Sequence, residues 1–294
     1  IKPINIGGVI VSNATLHNED EIIRKDIRIG DNVTVERAGD VIPHILSVDL
    51  KKRKQDSSKF IFPSSCPSCG SKTIKEFNEI TKKKDAVRRC SSEGFFCEKI
   101  AIEKLKHFVS KEAFNIDGLG KKIVENFWTL NLLKFPQDIF NLDYTKIEKL
   151  EGWGELSTNN LRYSINEKRK ISLHRFIYAL GIRHIGLENA KLLSKHFKSF
   201  SIFKDLSKNK KYNDLLNIDG IGETQVNSIK NFFLNNTNLM VLNDLEKVLN
   251  IEDAVSNNKK GLLKNKTFLV TGKLDGISRA EIKSLIEENS GTTV

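Results

Sequence analysis

Cysteine has the most pointed spacing of any residue type in this chain. All four fall in one stretch: Cys66-Pro-Ser-Cys69-Gly70, then Cys90 after twenty residues, then Cys97 after six. Two thiolates two residues apart on a turn can grip one tetrahedral metal ion, and the following glycine leaves the backbone free to wrap it. The other readings are a disulfide pair or free buried thiols, and without an export signal an oxidised framework is not expected. The chemistry expected is therefore structural zinc, held by Cys66, Cys69, Cys90 and Cys97. No His or carboxylate is placed as an open-site ligand, so no metal catalysis is expected.

A second pattern occurs four times: apolar, any residue, small or polar, apolar, Gly. It reads Ile116-Asp-Gly118-Leu119-Gly120, Leu150-Glu-Gly-Trp153-Gly154, Ile182-Arg183-His-Ile185-Gly186 and Ile218-Asp-Gly220-Ile221-Gly222. Each copy lies between helical segments, so each is a hairpin joining two helices, and recurrence of the closing glycine after 34, 32 and 36 residues marks an array of supersecondary units. The apolar pair, three residues apart, plugs the core between the helices. The glycines let the backbone approach another molecule, and amides at the next helix start can face a phosphate oxygen without reading sequence. The plainer reading is that they are helix C-caps. Glu151 and Glu155 around the second copy repel phosphate, whereas Lys121 and Lys122 follow the first and Arg183 sits within the third. The first and third copies are the preferred contacts, with Gly118, Gly120, Gly186, Gly220 and Gly222 as backbone positions.

Lys273-Leu-Asp-Gly276 matches the Lys-x-Asp-Gly adenylation string of nucleotidyltransferases. That chemistry needs a lysine desolvated in a large nucleotide pocket, which the residues from 277 to 294 cannot build. The string reads instead as a turn between a strand and a helix. No Gly-x-Gly-x-x-Gly follows that strand, and no catalytic residue is expected in the chain.

The elements that must position these groups are legible in outline. Residues 4 to 50 alternate short β-type runs with turn residues: 8–11, 31–35 and 41–48, the last broken by Pro43. A short helix over 17–25 separates the first two, with Asn18 able to cap it. The pattern looks like part of a small barrel. The cysteine stretch has little periodic apolar pattern, and 100–249 is helical throughout, an all-α domain. Residues 250–265 are polar and irregular. Then 266–271 reads as a buried strand, followed by a helix opening with the capping box Ser278-Arg-Ala-Glu281.

The composition sets the frame. The 294 residues are 39% hydrophobic and 29% charged, too apolar for a disordered tail and long enough for more than one core. Lys and Arg number 48 against 37 Asp and Glu, a net +11. The surplus fits a polyanionic partner, though a Lys-rich solvated surface explains it equally well. The basic runs 51–54, 82–84 and 88–89 surround the cysteines and favour nucleic acid. No apolar stretch is long enough to span a membrane. The opening Ile1 and the single Met240 suggest a chain cut at both ends.

In that order, partial barrel, four-Cys site, four helix-hairpin-helix repeats and a new α/β unit, the chain closely resembles the C-terminal part of bacterial NAD-dependent DNA ligases. The strings that carry the resemblance are Val11-Ser-Asn-Ala-Thr-Leu-His-Asn18, Arg37-Ala-Gly-Asp-Val41-Ile42-Pro43, Cys66-Pro-Ser-Cys69-Gly70, Lys106-His-Phe-Val-Ser110 and Tyr178-Ala-Leu-Gly-Ile-Arg183. The resemblance implies an N-terminally truncated OB-fold over 1–60, a zinc finger over 61–99, a helix-hairpin-helix domain over 100–250 and a linker over 251–264. A truncated BRCT domain follows over 265–294. It implies that the parent enzyme seals nicks in duplex DNA: a lysine is adenylated from NAD, AMP passes to the 5′-phosphate, and the 3′-hydroxyl displaces it with Mg2+ assisting. NAD and Mg2+ would bind in domains outside this segment, which would be inactive alone and act by clamping nicked DNA. Arg37, Val41 and Ile42 match family positions against DNA, although strand core is the plainer reading of Val41 and Ile42. Asn13 stands where the family usually has Arg. A monomeric protein of the bacterial cytoplasm is implied, with no membrane partner. The alternatives are a stand-alone zinc and helix-hairpin-helix module that recruits a repair enzyme, and a scaffold whose glycines are only caps.

Overall fold

The computed structural model describes residues 1–294 except 38–41, 79–81, 255–260, 273–276, 278 and 294. It divides into two compact units, Ile1–Ser92 and Glu93–Val294.

In the first unit, β1 (Ile4–Ile6) and β2 (Val9–Val11) form an antiparallel hairpin turned at Gly7-Gly8, both at positive φ. Helix α1 (Glu19–Arg24) follows, and the Asn18 side chain accepts from the Glu21 amide at 3.0 Å, the cap expected from sequence. Strands β3 (Val33–Glu36) and β4 (His44–Val48) pair antiparallel with a bulge after Thr34. Among the described residues these strands form separate two-stranded sheets rather than a closed barrel, and Thr15, in the segment after β2, makes an isolated bridge to His44 of β4. A third hairpin, β5 (Thr73–Asn78) and β6 (Lys83–Cys90), carries the cysteine knuckle.

Only Val11, Ile22 and Ile45 are buried apolar residues among those described in this unit, so charge pairing holds much of it. Arg53 bonds both Asp26 and Asp31, and its side chain and that of Asp31 are 11% and 2% exposed. Arg28 joins the same Asp26, and the two guanidiniums hold its carboxyl down at about 2. Arg88 forks onto Glu19 with two 3.0 Å bonds and Lys75 reaches Glu19 and Asp20, tying α1 to the third hairpin. This corrects the reading of the basic runs. Arg53, Arg88 and Arg89, the last bound to Asp85, are neutralised within the fold, whereas Lys51, Lys54, Lys83 and Lys84 are exposed.

The second unit is built from helices: α2 (Glu98–Phe108), α3 (Lys121–Thr129), α4 (Tyr144–Ile147), α5 (Glu155–Glu167) and, after β7 (Lys170–Ser172), α6 (Leu173–Ala179). Then come α7 (Leu187–Phe197), α8 (Phe200–Lys204), α9 (Leu206–Asn209), α10 (Glu223–Leu234) and α11 (Asn236–Val248). Their inward apolar positions form one core, in which Phe108 stacks on Phe114 and Phe203 meets Phe197 and Phe233 edge-on. The domain is not purely helical as expected. β8 (Asn250–Glu252) returns to pair parallel with β7, and Lys170 joins Glu252 at 2.8 Å. β7 is three residues just before a helix, too short to show an alternating pattern, so its partner is set by the tertiary fold.

The terminal segment contains β9 (Thr267–Phe268), α12 (Arg279–Glu288) and β10 (Thr292–Thr293), with β9 and β10 parallel. The expected buried strand over 266–271 is corrected. Strand structure covers two residues, and Leu269 is 72% exposed. Its apolar run read as core because local pattern does not say whether a neighbour exists to cover it. Lys273–Gly276 and Ser278 lie outside the described residues. Glu281, expected to close a capping box, engages Lys168 and Asn115 on other elements.

Candidate nucleic-acid interface and metal centre

The cysteine knuckle is a tight loop closed by backbone bonds. The Gly70 amide donates to the Cys66 carbonyl at 2.8 Å, the Cys66 amide to that of Ser71 at 2.7 Å, and Gly70 has φ +73°. This turns both sulfurs inward. Cys90 ends β6, and Cys97 is the N-cap of α2. The four ligand sulfurs all lie within 4.8 Å of one another. A disulfide framework would pair them two by two, but no disulfide joins any of the four. Converging sulfurs in a segment with almost no apolar core fit a closed, four-coordinate metal site.

The four hairpins share one geometry. Each apolar pair closes a four-residue turn, with amide-to-carbonyl distances of 3.4 Å for Leu119 to Ile116, and 3.0 Å for Trp153 to Leu150, Ile185 to Ile182 and Ile221 to Ile218. The third residue of each turn has positive φ: Gly118 at +88°, Gly152 at +78°, His184 at +60° and Gly220 at +89°. The closing glycine is then the N-cap, not the C-cap, of the next helix: Gly120 for α3, Gly154 for α5, Gly186 for α7 and Gly222 for α10. All four closing glycines are exposed. An added Cβ on Gly120, Gly154 or Gly186 would meet nothing within 4 Å, and none of the four has positive φ, so the chain's own packing does not demand glycine there.

The hairpins pack in two reciprocal pairs. Gly118 lies against Leu161 of α5, while Trp153 of the second hairpin packs tilted against Phe127 of α3, ring centroids 5.5 Å apart. Gly220 lies against Leu192 of α7, while His184 of the third hairpin bonds Ser228 of α10 at 3.0 Å. Each pair has the look of an internal two-fold, and the His107 ring joins them by its 2.8 Å bond to the Tyr178 carbonyl.

Equal backbones carry unequal ends. In the second and fourth hairpins the N-cap amide is already taken, Gly154 by Ser157 Oγ at 3.0 Å and Gly222 by Gln225 Oε1 at 3.2 Å. The first has Ile123 at that position and the third has Asn189, whose amide turns to the His184 carbonyl instead. Gly120 and Gly186 therefore head the helices whose N-cap amides receive no such side chain, and they carry the nearby cations: Lys121 and Lys122, both exposed, and half-buried Arg183. Burial draws the Arg183 pKa down, but a guanidinium remains charged. The Ser157 and Gln225 positions are a side chain three residues past the cap, a signal present in the sequence and overlooked there.

In the first unit, the two strings of the ligase resemblance converge. The Thr15 amide donates to the Pro43 carbonyl at 2.8 Å, and the His17 and His44 rings lie 5.8 Å apart. Arg37 follows β3 half-buried, Ile42 is 72% exposed rather than strand core, and Val41 lies outside the described residues. Among the described residues no helix is long and apolar enough to cross a membrane.

Comparison with known proteins agrees with this arrangement. Residues 1–57 match the NAD-dependent DNA ligase OB-fold domain, and residues 175–242, spanning the second hairpin pair, match the helix-hairpin-helix motif. A DNA ligase of Pelagibacter ubique is 72% identical over all 294 residues, one of Ehrlichia chaffeensis is 45% identical over the whole chain, and one of Wolbachia pipientis is 46% identical over 96% of it. The chain spans 44%, 44% and 43% of those relatives, less than half the length of each. With an OB-type unit, a four-thiol cluster and paired hairpins in that order, the chain is similar along its whole length to DNA ligases, and over its first 57 residues to the OB-fold domain of the NAD-dependent ones.

Proposed function

We propose that this chain is the DNA-clamping C-terminal part of an NAD-dependent ligase that seals nicks in duplex DNA. The observation that carries the reading is the set of hairpins whose exposed closing glycines are required neither by backbone conformation nor by internal packing. A Cβ-free helix start lets a phosphate oxygen approach the amides, and the helix dipole favours the negative charge. Lys121, Lys122 and Arg183 supply the charge at Gly120 and Gly186, with Gly118, Gly220 and Gly222 shaping the turns. Arg37, Val41 and exposed Ile42 would lie against the duplex from the OB-type unit. All of these contacts are to backbone or shape, so the binding is sequence-independent.

Cys66, Cys69, Cys90 and Cys97 would hold a structural zinc ion, which acts as a cross-link where the core is absent and performs no step of the reaction. The segment over 265–294 is read as the start of a BRCT domain. NAD and Mg2+ belong to the adenylation chemistry of domains outside this segment, so the segment alone does not ligate. The working protein is a monomer of the bacterial cytoplasm.

The test is affinity for nicked duplex at several salt concentrations. Each phosphate neutralised lowers the slope of log affinity against log salt by about 0.9, so a clamp with several contacts gives a steep plot. A flat plot would overturn the reading.

A further inference from the structure

The helix α12 is joined to the hairpin domain by its acidic side chains. Glu281 receives Lys168 at 2.5 Å and the Asn115 amide at 3.2 Å, with Arg175 at 3.8 Å. Near the other end of the helix, Glu287 receives Lys191 at 2.9 Å and the Thr293 hydroxyl at 3.0 Å. Burial pushes the Glu287 carboxyl up, but the Lys191 and Thr293 bonds outweigh it and leave its pKa below the ordinary value. Apolar contact contributes little: Ile286 is buried, Leu285 is half exposed, and no other described side chain of α12 is buried. The interface is therefore held by partly buried ion pairs, with Lys168 and Glu281 26% and 21% exposed, and it depends on charge more than on apolar burial.

The anchors sit beside the two open hairpins. Asn115 immediately precedes Ile116 of the first hairpin, and Lys191 lies in the second turn of α7, behind Gly186 and Arg183. Lys168 caps α5, the helix that packs on the first hairpin. We infer that α12 is an acidic latch seated on a basic dock of the hairpin domain, and that a nucleic-acid backbone competes with Glu281 and Glu287 for the same cations. A duplex brings a denser array of negative charge than two carboxylates and gains from counterion release, so it displaces the latch. Competition rests on the DNA-clamping reading; the latch itself does not.

The test is amide exchange in α12 of the whole chain, with affinity for nicked duplex measured in parallel. Protection of α12 should fall when duplex is added. Glu281→Lys should abolish it at low salt, and Lys168→Glu combined with Glu281→Lys should restore it at unchanged net charge. Glu281→Gln with Glu287→Gln should bind duplex about 3- to 10-fold tighter, as expected for the return of one or two phosphate contacts. The control Asp244→Asn with Glu246→Gln, which removes equal charge from α11, should change affinity less than the latch pair. If duplex binds but α12 protection is unaltered, or both pairs tighten binding equally, the latch is wrong and the clamp stands. If neither wild type nor variants bind duplex, the clamp and the competition fall together.

Discussion

Glycines that the fold requires can be separated from glycines that only a partner requires. Gly118 and Gly220 have φ near +90°, and a Cβ would lie 3.3 Å from Leu161 and 2.9 Å from Leu192. Left-handed backbone costs a residue with a Cβ about 1–2 kcal/mol, and the contacts add to that. Gly118→Ala and Gly220→Ala should each destabilise the helical unit by about 1–3 kcal/mol, or several degrees of Tm. Gly120 and Gly186 have φ −65° and −79° and open space around the missing Cβ. There, Ala loses about 0.5–1 kcal/mol of N-cap preference and regains about 0.4–1 kcal/mol by narrowing the unfolded ensemble, so the net is near zero. In complex with DNA, however, the new methyl stands between the amides and a phosphate. Losing one charge-assisted contact costs about 1.5–3 kcal/mol, roughly tenfold or more in affinity per site. Calorimetric melting and fluorescence anisotropy on nicked duplex would read both quantities. Gly120→Ala with Gly186→Ala should leave Tm within about 2 °C while weakening binding at least tenfold. Full affinity in that double variant would make these glycines simple caps and refute the contact.

Other consequences are equally direct. Metal analysis should find about one zinc ion per chain, and Cys66→Ser should lose it and raise amide exchange across 62–92 while α5 to α11 stay protected; full metal occupancy in the variant would refute the four-thiol site. His174 is held at about 4, below its ordinary 6.5, by burial first and then by Lys191 and Arg175. It stays neutral in the fold while the unfolded chain takes up a proton, so stability present above about pH 6.5 is lost as pH falls toward 4. The loss is about 3 kcal/mol at most. Denaturation followed by circular dichroism should show His174→Gln losing less stability than wild type between about pH 7 and 5, and identical losses would refute the burial argument.

The sequence by itself determined whatever local chemistry encodes. The cysteine spacing, the Asn18 cap and the four apolar-to-glycine turns are set by residues within a few positions of one another, and each appears where the pattern put it. The sense of the closing glycines was not local. Whether Gly120 ends one helix or begins the next depends on the turn that precedes it, and its freedom from packing is visible only once Leu161 and Leu192 are seen to lie against Gly118 and Gly220 instead. Charge was misleading for the same reason. A run such as 51–54 counts four cations, but Arg53 is spent on Asp26 and Asp31, partners more than twenty residues away. The apolar run at 266–271 looked like core, and only the fold shows Leu269 in water. Pairing of hairpins, neutralisation of arginines and the seating of α12 all join residues distant in sequence. Such contacts follow from packing and desolvation over the whole chain, which no local window contains.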